Sequence, residues 1–338
     1  MEKNKTILLG HGSGGRMSHE LTEQLFLKYF GRPDDGFLTD AALLEPEGNL
    51  LAFTTDSFVV DPVFFPGGDI GKLAVCGTVN DLCVAGASPA YLTAGFIIEE
   101  GFPLSQLETI VKSMALCASE AGVKIIAGDT KVVHKHKCDK IFINTSGIGI
   151  LERRYAHLSK GTHITPGDKI IINGFLADHG LTVMTAREAL SIRYNGTSDC
   201  APLNHLIRCA MDAGDIHFMR DATRGGLAAI VTELVDRKTF GIELHENKIP
   251  LRENTKGLCE MLGFDPLQIA NEGKVMMVVA SSDAEKIVAA MQKHPYGKDS
   301  CIIGEITDQH PGTAVLNTII GGKRIIDMPA GELLPRIC

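Results

Sequence analysis

Helix-like and strand-like runs alternate unevenly on both sides of one stretch, residues 155–166, that carries no strong hydrophobic period of its own. A chain patterned in this way folds as two mixed halves. Each half has its own apolar faces to bury, and 338 residues exceed what one ordinary core encloses. The expected divisions are a glycine-rich segment and helix over 1–36, a first domain over 37–154, a second over 155–329, and a mobile tail over 330–338. In the first half the spacing predicts a helix over Ser18–Phe30 and strands over Leu50–Thr55, Ala90–Ile98, Val123–Ala127 and Lys140–Leu151. Asp69 caps a second predicted helix that runs to about Gly86, and Phe102-Pro103 opens a third that ends at Ala121 before Gly122. The second half predicts strands over Lys169–Asn173, Ile216–Met219, Gly241–His245, Lys274–Ala280 and Ser300–Thr307. Its predicted helices are Leu181–Ser191, Pro202–Ala213, Gly225–Asp236, Thr255–Leu262 and Ala284–His294, and Gly321-Gly322-Lys323 closes a hairpin. This uneven order favours α+β layers over a regular parallel barrel.

Charge and composition exclude several classes of function. Lys and Arg number 33 against 41 Asp and Glu, and the resulting −8 has no compensating basic block, so nucleic acid and anionic membrane are poor partners. The longest weakly charged stretch, Leu82 to Ile98, is broken by Gly86, Ser88, Pro89 and Gly95 and does not span a bilayer. The first residues, Met1-Glu2-Lys3-Asn4-Lys5, lack the apolar run of a signal peptide. Nine cysteines, an odd number without a Cys-x-x-Cys pair, fit a reduced, cytoplasmic protein rather than a disulfide framework. His134-Lys135-His136-Lys137-Cys138 interleaves its potential ligands with lysines and reads as a solvated turn, not a zinc site.

Acidic residues recur at the ends of apolar runs: Asp40 before a strand, Asp56 and Asp129 at strand ends, Asp81 in a small-residue helix, and Asp221 before another helix. Singly, each caps a turn. Together, beside Gly and Thr, they suit a hard cation, since Mg²⁺ takes a few carboxylates with phosphate oxygens and water. Glycine-rich His11-Gly12-Ser13-Gly14-Gly15-Arg16 and Thr223-Arg224-Gly225-Gly226 precede helices, where backbone amides form an anion site. Neither matches a P-loop or a dinucleotide fingerprint. Lys131 offers a point charge for phosphate, and Asn271-Glu272-Gly273-Lys274 places a carboxylate on a turn as a candidate base. The chain ends in Cys338, on a tail whose reach, at about 3.3 Å per residue, is roughly 30 Å.

The ordered set Gly12-Ser13-Gly14-Gly15, Thr54-Thr55-Asp56-Ser57, Val79-Asn80-Asp81-Leu82, Gly128-Asp129-Thr130-Lys131, Met219 to Gly226, Asn271 to Lys274 and Pro335-Arg336-Ile337-Cys338 resembles the HypE family of nickel–iron hydrogenase maturation proteins. That family lies within the ATP-binding superfamily of aminoimidazole ribonucleotide (AIR) synthase and selenophosphate synthetase. The terminal Pro-Arg-Ile-Cys is what separates it from the other members. The resemblance implies a two-domain AIR synthase-like (PurM-like) α+β fold and a homodimer joined through the N-terminal domains. It implies a carbamoyl dehydratase: HypF loads a carbamoyl group on Cys338, ATP drives its dehydration to thiocyanate, and the cyano group passes to iron on a HypC–HypD complex. By motif, Asp40, Asp56, Asp81 and Asp221 would hold Mg²⁺ with the ATP phosphates. Asn80, Gly128, Asp129 and Thr130 would line the nucleotide, and Cys338, Glu272 and Lys131 would serve the chemistry. Apart from the resemblance, the charge of Arg336, two residues before the thiol, suits it to guide the tail toward phosphate. The rival readings are a superfamily enzyme acting on a free substrate, such as a small-molecule kinase, and a non-enzymatic scaffold whose tail binds partners.

Overall fold

Two sheets take up the apolar runs, one on each side of the unpatterned stretch. The computed structural model describes residues 15–30, 39–48, 50–187, 194–329, 334 and 336–338; the glycine-rich residues 11–14 and the greater part of 330–338 lie outside them. The chain enters through α1 (Gly15–Leu21), a π turn (Thr22–Phe26) and α2 (Leu27–Phe30). β1 (Ala42–Leu44), β2 (Leu51–Phe58), a small ribbon of β3 (Phe64–Phe65) and β4 (Gly68–Asp69), α3 (Ile70–Val84), β5 (Ala87–Glu99), α4 (Leu104–Ala121), β6 (Lys124–Val133) and β7 (Ile141–Leu151) complete the first half. Five of these strands form one sheet in the order β1-β2-β7-β5-β6.

The second half runs β8 (Lys169–Ile172), α5 (Asp178–Thr185), α6 (Asn204–Ala213), β9 (Ile216–Asp221), α7 (Gly226–Val235), β10 (Gly241–His245), α8 (Glu253–Leu262), β11 (Val275–Val279), α9 (Ala284–Met291), β12 (Cys301–Thr307), β13 (Ala314–Asn317) and β14 (Lys323–Ile325). Its seven-stranded sheet has the order β14-β13-β10-β12-β8-β11-β9, antiparallel except for the β10/β13 pair. The predicted Gly321-Gly322-Lys323 hairpin is the β13/β14 pair. Among the described residues no helix is long and apolar enough to cross a membrane.

α3 is the element around which the first half packs. Asp69 accepts the Gly71 and Lys72 amides at 2.7 and 3.2 Å, which satisfies donors the first turn otherwise leaves open. Thirteen of its fifteen residues are buried, so it is a central helix covered on nearly all sides rather than an amphipathic surface helix. One face lies on β2, β5 and β7, and another meets α4. α4 ends where Gly122 takes φ 70°, as the predicted Gly stop requires.

Strand ends differ from expectation at two places that matter. β2 continues past Asp56 to Phe58, because its antiparallel register with β7 holds through Phe58↔Ile143. β6 was expected to stop at Ala127, yet it runs to Val133, paired in parallel with β5 as far as Glu99↔Val133. Long-range pairing overrides the local turn signal of Gly128-Asp129. The predicted helix over Leu181–Ser191 instead starts at Asp178 and ends at Thr185, with 188–193 outside the described residues.

The sheet has two unlike faces. Phe58, Leu92, Ala94, Ile143 and Thr145 point toward α3 and are buried. On the opposite face Phe53, Tyr91, Ile97, Ile148 and Ile150 are exposed within one chain. Replacing the α3 cap, Asp69→Ala, should lower the free energy of unfolding by about 1 kcal/mol. Denaturant unfolding checks this as a lower midpoint at unchanged slope, and an unchanged midpoint would refute the cap's contribution.

Candidate active site

Where the two halves meet, α3 carries a buried amide across the seam. Asn80 Nδ2 donates to Ala201 O at 3.1 Å and to Glu272 O at 3.4 Å, while Oδ1 accepts from Leu203 N at 2.8 Å. Both ends of the amide are therefore spent on backbone. The position expected to line the nucleotide instead clasps the second half and holds the Glu272 turn.

Around that clasp the four aspartates of the predicted metal set converge. Thr54 Oγ1, on β2, lies 2.9 Å from Asp40 O and 2.8 Å from Asp81 Oδ2. Thr78 Oγ1 on α3 donates to Asp56 Oδ2 at 3.4 Å. The Asp40 carboxylate accepts from Arg220 Nε at 3.1 Å, and Asp221 follows Arg220 at the end of β9. Burial pushes the Asp81 carboxyl well above its ordinary range, and Asp56, Asp221 and Asp40 push it further. Burial likewise raises Asp56, opposed by Arg224 and by a hydrogen bond from Asp81. Burial and then Asp40 and Asp56 raise Asp221 to about 8.

A donor set of crowded carboxylates fits Mg²⁺. Among the described residues no three His, Cys, Asp or Glu side chains stand at metal-enclosing distance. The fit is to an ion that keeps water and phosphate oxygens in its shell, which is how Mg²⁺ is usually held, and not to an all-protein cage.

Glu272 faces the same volume. It is buried, its Oε1 has no hydrogen-bond partner among the described residues, and its carboxyl lies well above its ordinary pKa through burial, then Asp221, Asp199 and Asp56. Its backbone is tightly fixed. Asp199 accepts the Glu272 and Gly273 amides at 3.0 and 3.3 Å and pairs with Lys274 Nζ at 2.9 Å, both side chains being buried. A Cβ on Gly273 would come within 1.9 Å of Asp199 O, so only glycine permits this turn. Asn271 bonds Ala177 N, Ala222 O and Ile269 O from the other side. Asp199 and the arginines Arg220 and Arg224 received no role from sequence reasoning. The arginines stood inside the Arg220 to Gly226 motif as a signal, whereas nothing local marked Asp199.

The described tail residues bring Cys338 to this site. Val59 N donates to Cys338 O at 3.0 Å and Asp61 N to Arg336 O at 3.1 Å, an antiparallel pairing in miniature. Cys338 is half-buried. Burial pushes its thiol up to about 12, opposed by Arg224 and reinforced by Glu272 and Asp56. Arg336 does not point to a phosphate position: its guanidinium pairs with Asp139 and donates to Val59 O at 2.9 Å. The backbone carbonyl of Val59 and the Asp139 carboxylate are the nearer acceptors, and they hold it.

Gly128, Asp129, Thr130 and Lys131 lie elsewhere. The register Asp56↔Thr145↔Ala94↔Gly128 puts Gly128 three strands from Asp56, roughly 14 Å at about 4.8 Å per strand. Asp129, in register with Gly95 and Asn144, and Lys131, in register with Ile97 and Phe142, lie on the sheet face turned away from α3, where they are exposed and paired to each other at 2.6 Å. A Cβ on Gly128 would meet Ala94 O at 2.6 Å, so this glycine answers to strand packing. Within one chain the site thus joins Asp40, Asp56, Asp81, Asp221, Glu272 and Cys338 but not Asp129 and Lys131.

Two mixed sheets with acids from both at their seam define the class. Residues 38–151 match the N-terminal domain and residues 165–317 the C-terminal domain of AIR synthase related proteins. Carbamoyl dehydratase HypE of Rhodobacter capsulatus is 46% identical over 340 residues, covering 99% of each chain. A HypE chain from a HypE–HypF complex superposes with a TM-score of 0.85 at 52% identity, over 91% of this chain and 99% of its own. HypE crystallised with ATP superposes with a TM-score of 0.81 at 45% identity, over 98% and 100%. The chain belongs to the carbamoyl dehydratase HypE family.

Glu272 yields a pH prediction. Its folded pKa is raised, so with rising pH the unfolded chain releases this proton first, and the group's contribution to stability falls above about pH 4.3. In metal-free buffer Glu272→Gln keeps the shape without the ionisable group. Its unfolding midpoint should exceed wild type by more at about pH 8 than at about pH 5. Equal differences at both would mean that Glu272 titrates alike folded and unfolded.

Proposed function

We propose that this protein dehydrates a carbamoyl group carried as a thiocarbamate on its own Cys338, using ATP, and so makes the thiocyanate that supplies the cyanide ligands of the hydrogenase iron centre. The observation that carries this reading is the terminal thiol docked where Glu272, Arg224 and Asp56 all act on it. A carbamoyl oxygen is a poor leaving group. Its attack on the γ-phosphorus of ATP releases ADP and leaves it as a phosphate ester. One N–H proton passes to solvent as the phosphorylated imidate forms; loss of the second to Glu272 then forms the C≡N bond as the C–O bond breaks, and inorganic phosphate departs with the oxygen. The raised pKa of Glu272 makes it the stronger base for that proton once ionised. Arg224, an exposed cation whose strongest electrostatic partner is Cys338, would balance charge on the departing phosphate. Mg²⁺, when bound by Asp40, Asp56, Asp81 and Asp221, supplies charge neutralisation at the phosphates.

The docked thiol is protonated and shielded, which makes it a poor nucleophile. Loading is therefore assigned to an undocked tail, with HypF as the donor, in keeping with the HypE–HypF complex of the relative. HypC–HypD is the proposed acceptor. Nine free cysteines support a reducing compartment, the cytoplasm. The exposed row of Phe53, Tyr91, Ile148 and Ile150 supports a homodimer through the first sheet. Such a dimer would enclose the ladder of Thr55, Asn144 and Ser146 and bring Gly128, Asp129, Thr130 and Lys131 to a nucleotide at the interface.

Intact-mass measurement tests the reaction. Incubation with the carbamoylating partner should add about 43 Da, and ATP should then remove about 18 Da. Cys338→Ala should abolish both shifts while ATP binding persists; product from that variant would sink the carrier reading. For the dimer, Ile148→Asp with Ile150→Asp should give a monomer by light scattering, and a wild-type chain that is itself monomeric would count against the interface.

A further inference from the structure

His179, on α5, is wholly buried, and the dehydration chemistry leaves it unused. Its Nε2 lies 2.9 Å from Ile337 O, the carbonyl just before Cys338, and its Nδ1 lies 2.7 Å from Ser198 Oγ. A carbonyl only accepts, so Nε2 carries the hydrogen. Burial lowers the affinity of the ring for a second proton, so the imidazole is neutral and Nδ1 accepts. Ser198 then donates its hydroxyl hydrogen to Nδ1 while its oxygen accepts the Cys200 amide at 3.1 Å. The chain of bonds has one polarity, from Cys200 N–H through Ser198 and His179 to the tail.

The next residue along from Ser198 is Asp199, which fixes the Glu272 and Gly273 amides and pairs with buried Lys274. Segment 198–200 is itself tied down, with Ser198 N donating to Pro66 O at 2.8 Å. One short segment therefore grips the base on one side and, through His179, the tail on the other. The contacts of Arg336 and Cys338 with Val59 and Asp61 hold the tail to the first half and do not register it against Glu272.

We propose that His179 is a positioning residue for the dehydration: through Ser198 and Asp199 it sets the substrate-bearing end of the tail at a fixed height over Glu272. The proposal rests on the carbamoyl dehydratase reading. It goes beyond it in assigning the docking donor and the path by which the tail and the base share one frame.

The test uses the full-length protein, carbamoylated on Cys338 and then given ATP in a single turnover. His179→Leu, which cannot donate to Ile337 O, should slow loss of the water mass about tenfold, the scale of one well-placed hydrogen bond. His179→Gln, which restores an N–H donor, should recover most of that rate. In the uncarbamoylated protein His179→Leu should also raise the rate at which iodoacetamide alkylates Cys338, read on the terminal peptide, with ATP binding unchanged. Wild-type turnover in His179→Leu, or equal slowing in Leu and Gln variants, overturns the proposal. Should the Leu variant fail to fold, Ser198→Ala decides. A several-fold slower turnover with a more reactive Cys338 supports the frame, and wild-type values for both overturn it. If wild-type protein itself never loses the water mass, the functional reading falls, and the alkylation rates still judge the docking by His179.

Discussion

One buried amide holds the seam on which the rest depends. Asn80 bonds Ala201 O, Glu272 O and Leu203 N at once, in a buried region where a polar group left unpaired costs about 1–3 kcal/mol. The clasp sits on α3, the helix buried on nearly all sides, so its position is set by the core of the first half. One residue further along α3 is Asp81, at the centre of the acid cluster. The contact that joins the halves also fixes the backbone of the proposed base and the helix that carries a proposed metal ligand. Seam and site cannot be separated in this fold.

The second constraint is charge. Asp56, Asp81, Asp221 and Glu272 each hold a proton more tightly than usual through burial and neighbouring carboxylates, and the Asp40 charge adds to this at the three aspartates. Arg220, held by Asp40 and Glu233, and Arg224, acted on by Cys338, Asp56 and Glu272, offset part of it. Two cations do not balance five acids, so the site disfavours its own fully ionised state. A divalent cation held by these carboxylates would offset part of the excess and supply a positive centre for a polyphosphate.

Much of the fold was legible because its signals are local. Asp69 before an apolar helix, Pro103 and Gly122 at the two ends of another, and Gly321-Gly322 between short strands each act on neighbours within a few residues. The acid cluster was legible by accumulation: of the five acidic motifs, those of Asp40, Asp56, Asp81 and Asp221 converge, and that of Asp129 does not. What was not legible depends on partners far along the chain. Gly128-Asp129 looks like a turn until β5 supplies nine paired positions beside it. Asn80 reads as a polar ligand by motif, yet its partners lie more than a hundred residues away. Asp199 and His179 lie in stretches with no motif, and only the closed fold shows that Ser198 joins them.

The terminal cysteine turns on the same long-range contacts. A thiol on an arm needs two environments, one in which sulfur is a thiolate and can be loaded, and one in which its adduct is shielded from water while it reacts. The docked tail provides the second. Its carbonyls at Arg336, Ile337 and Cys338 are each received, by Asp61 N and Arg187, by His179 and by Val59 N, and so is the Arg336 side chain by Asp139. Most of these bonds are made by backbone or to backbone, and they read the path of the tail rather than its cargo. A carbamoyl group, a phosphorylated intermediate and a thiocyanate differ in charge and size at the sulfur, but present the same three carbonyls behind it. The tail can therefore stay docked while its cargo changes, and release is left to depend on what occupies the acid cluster beyond the sulfur.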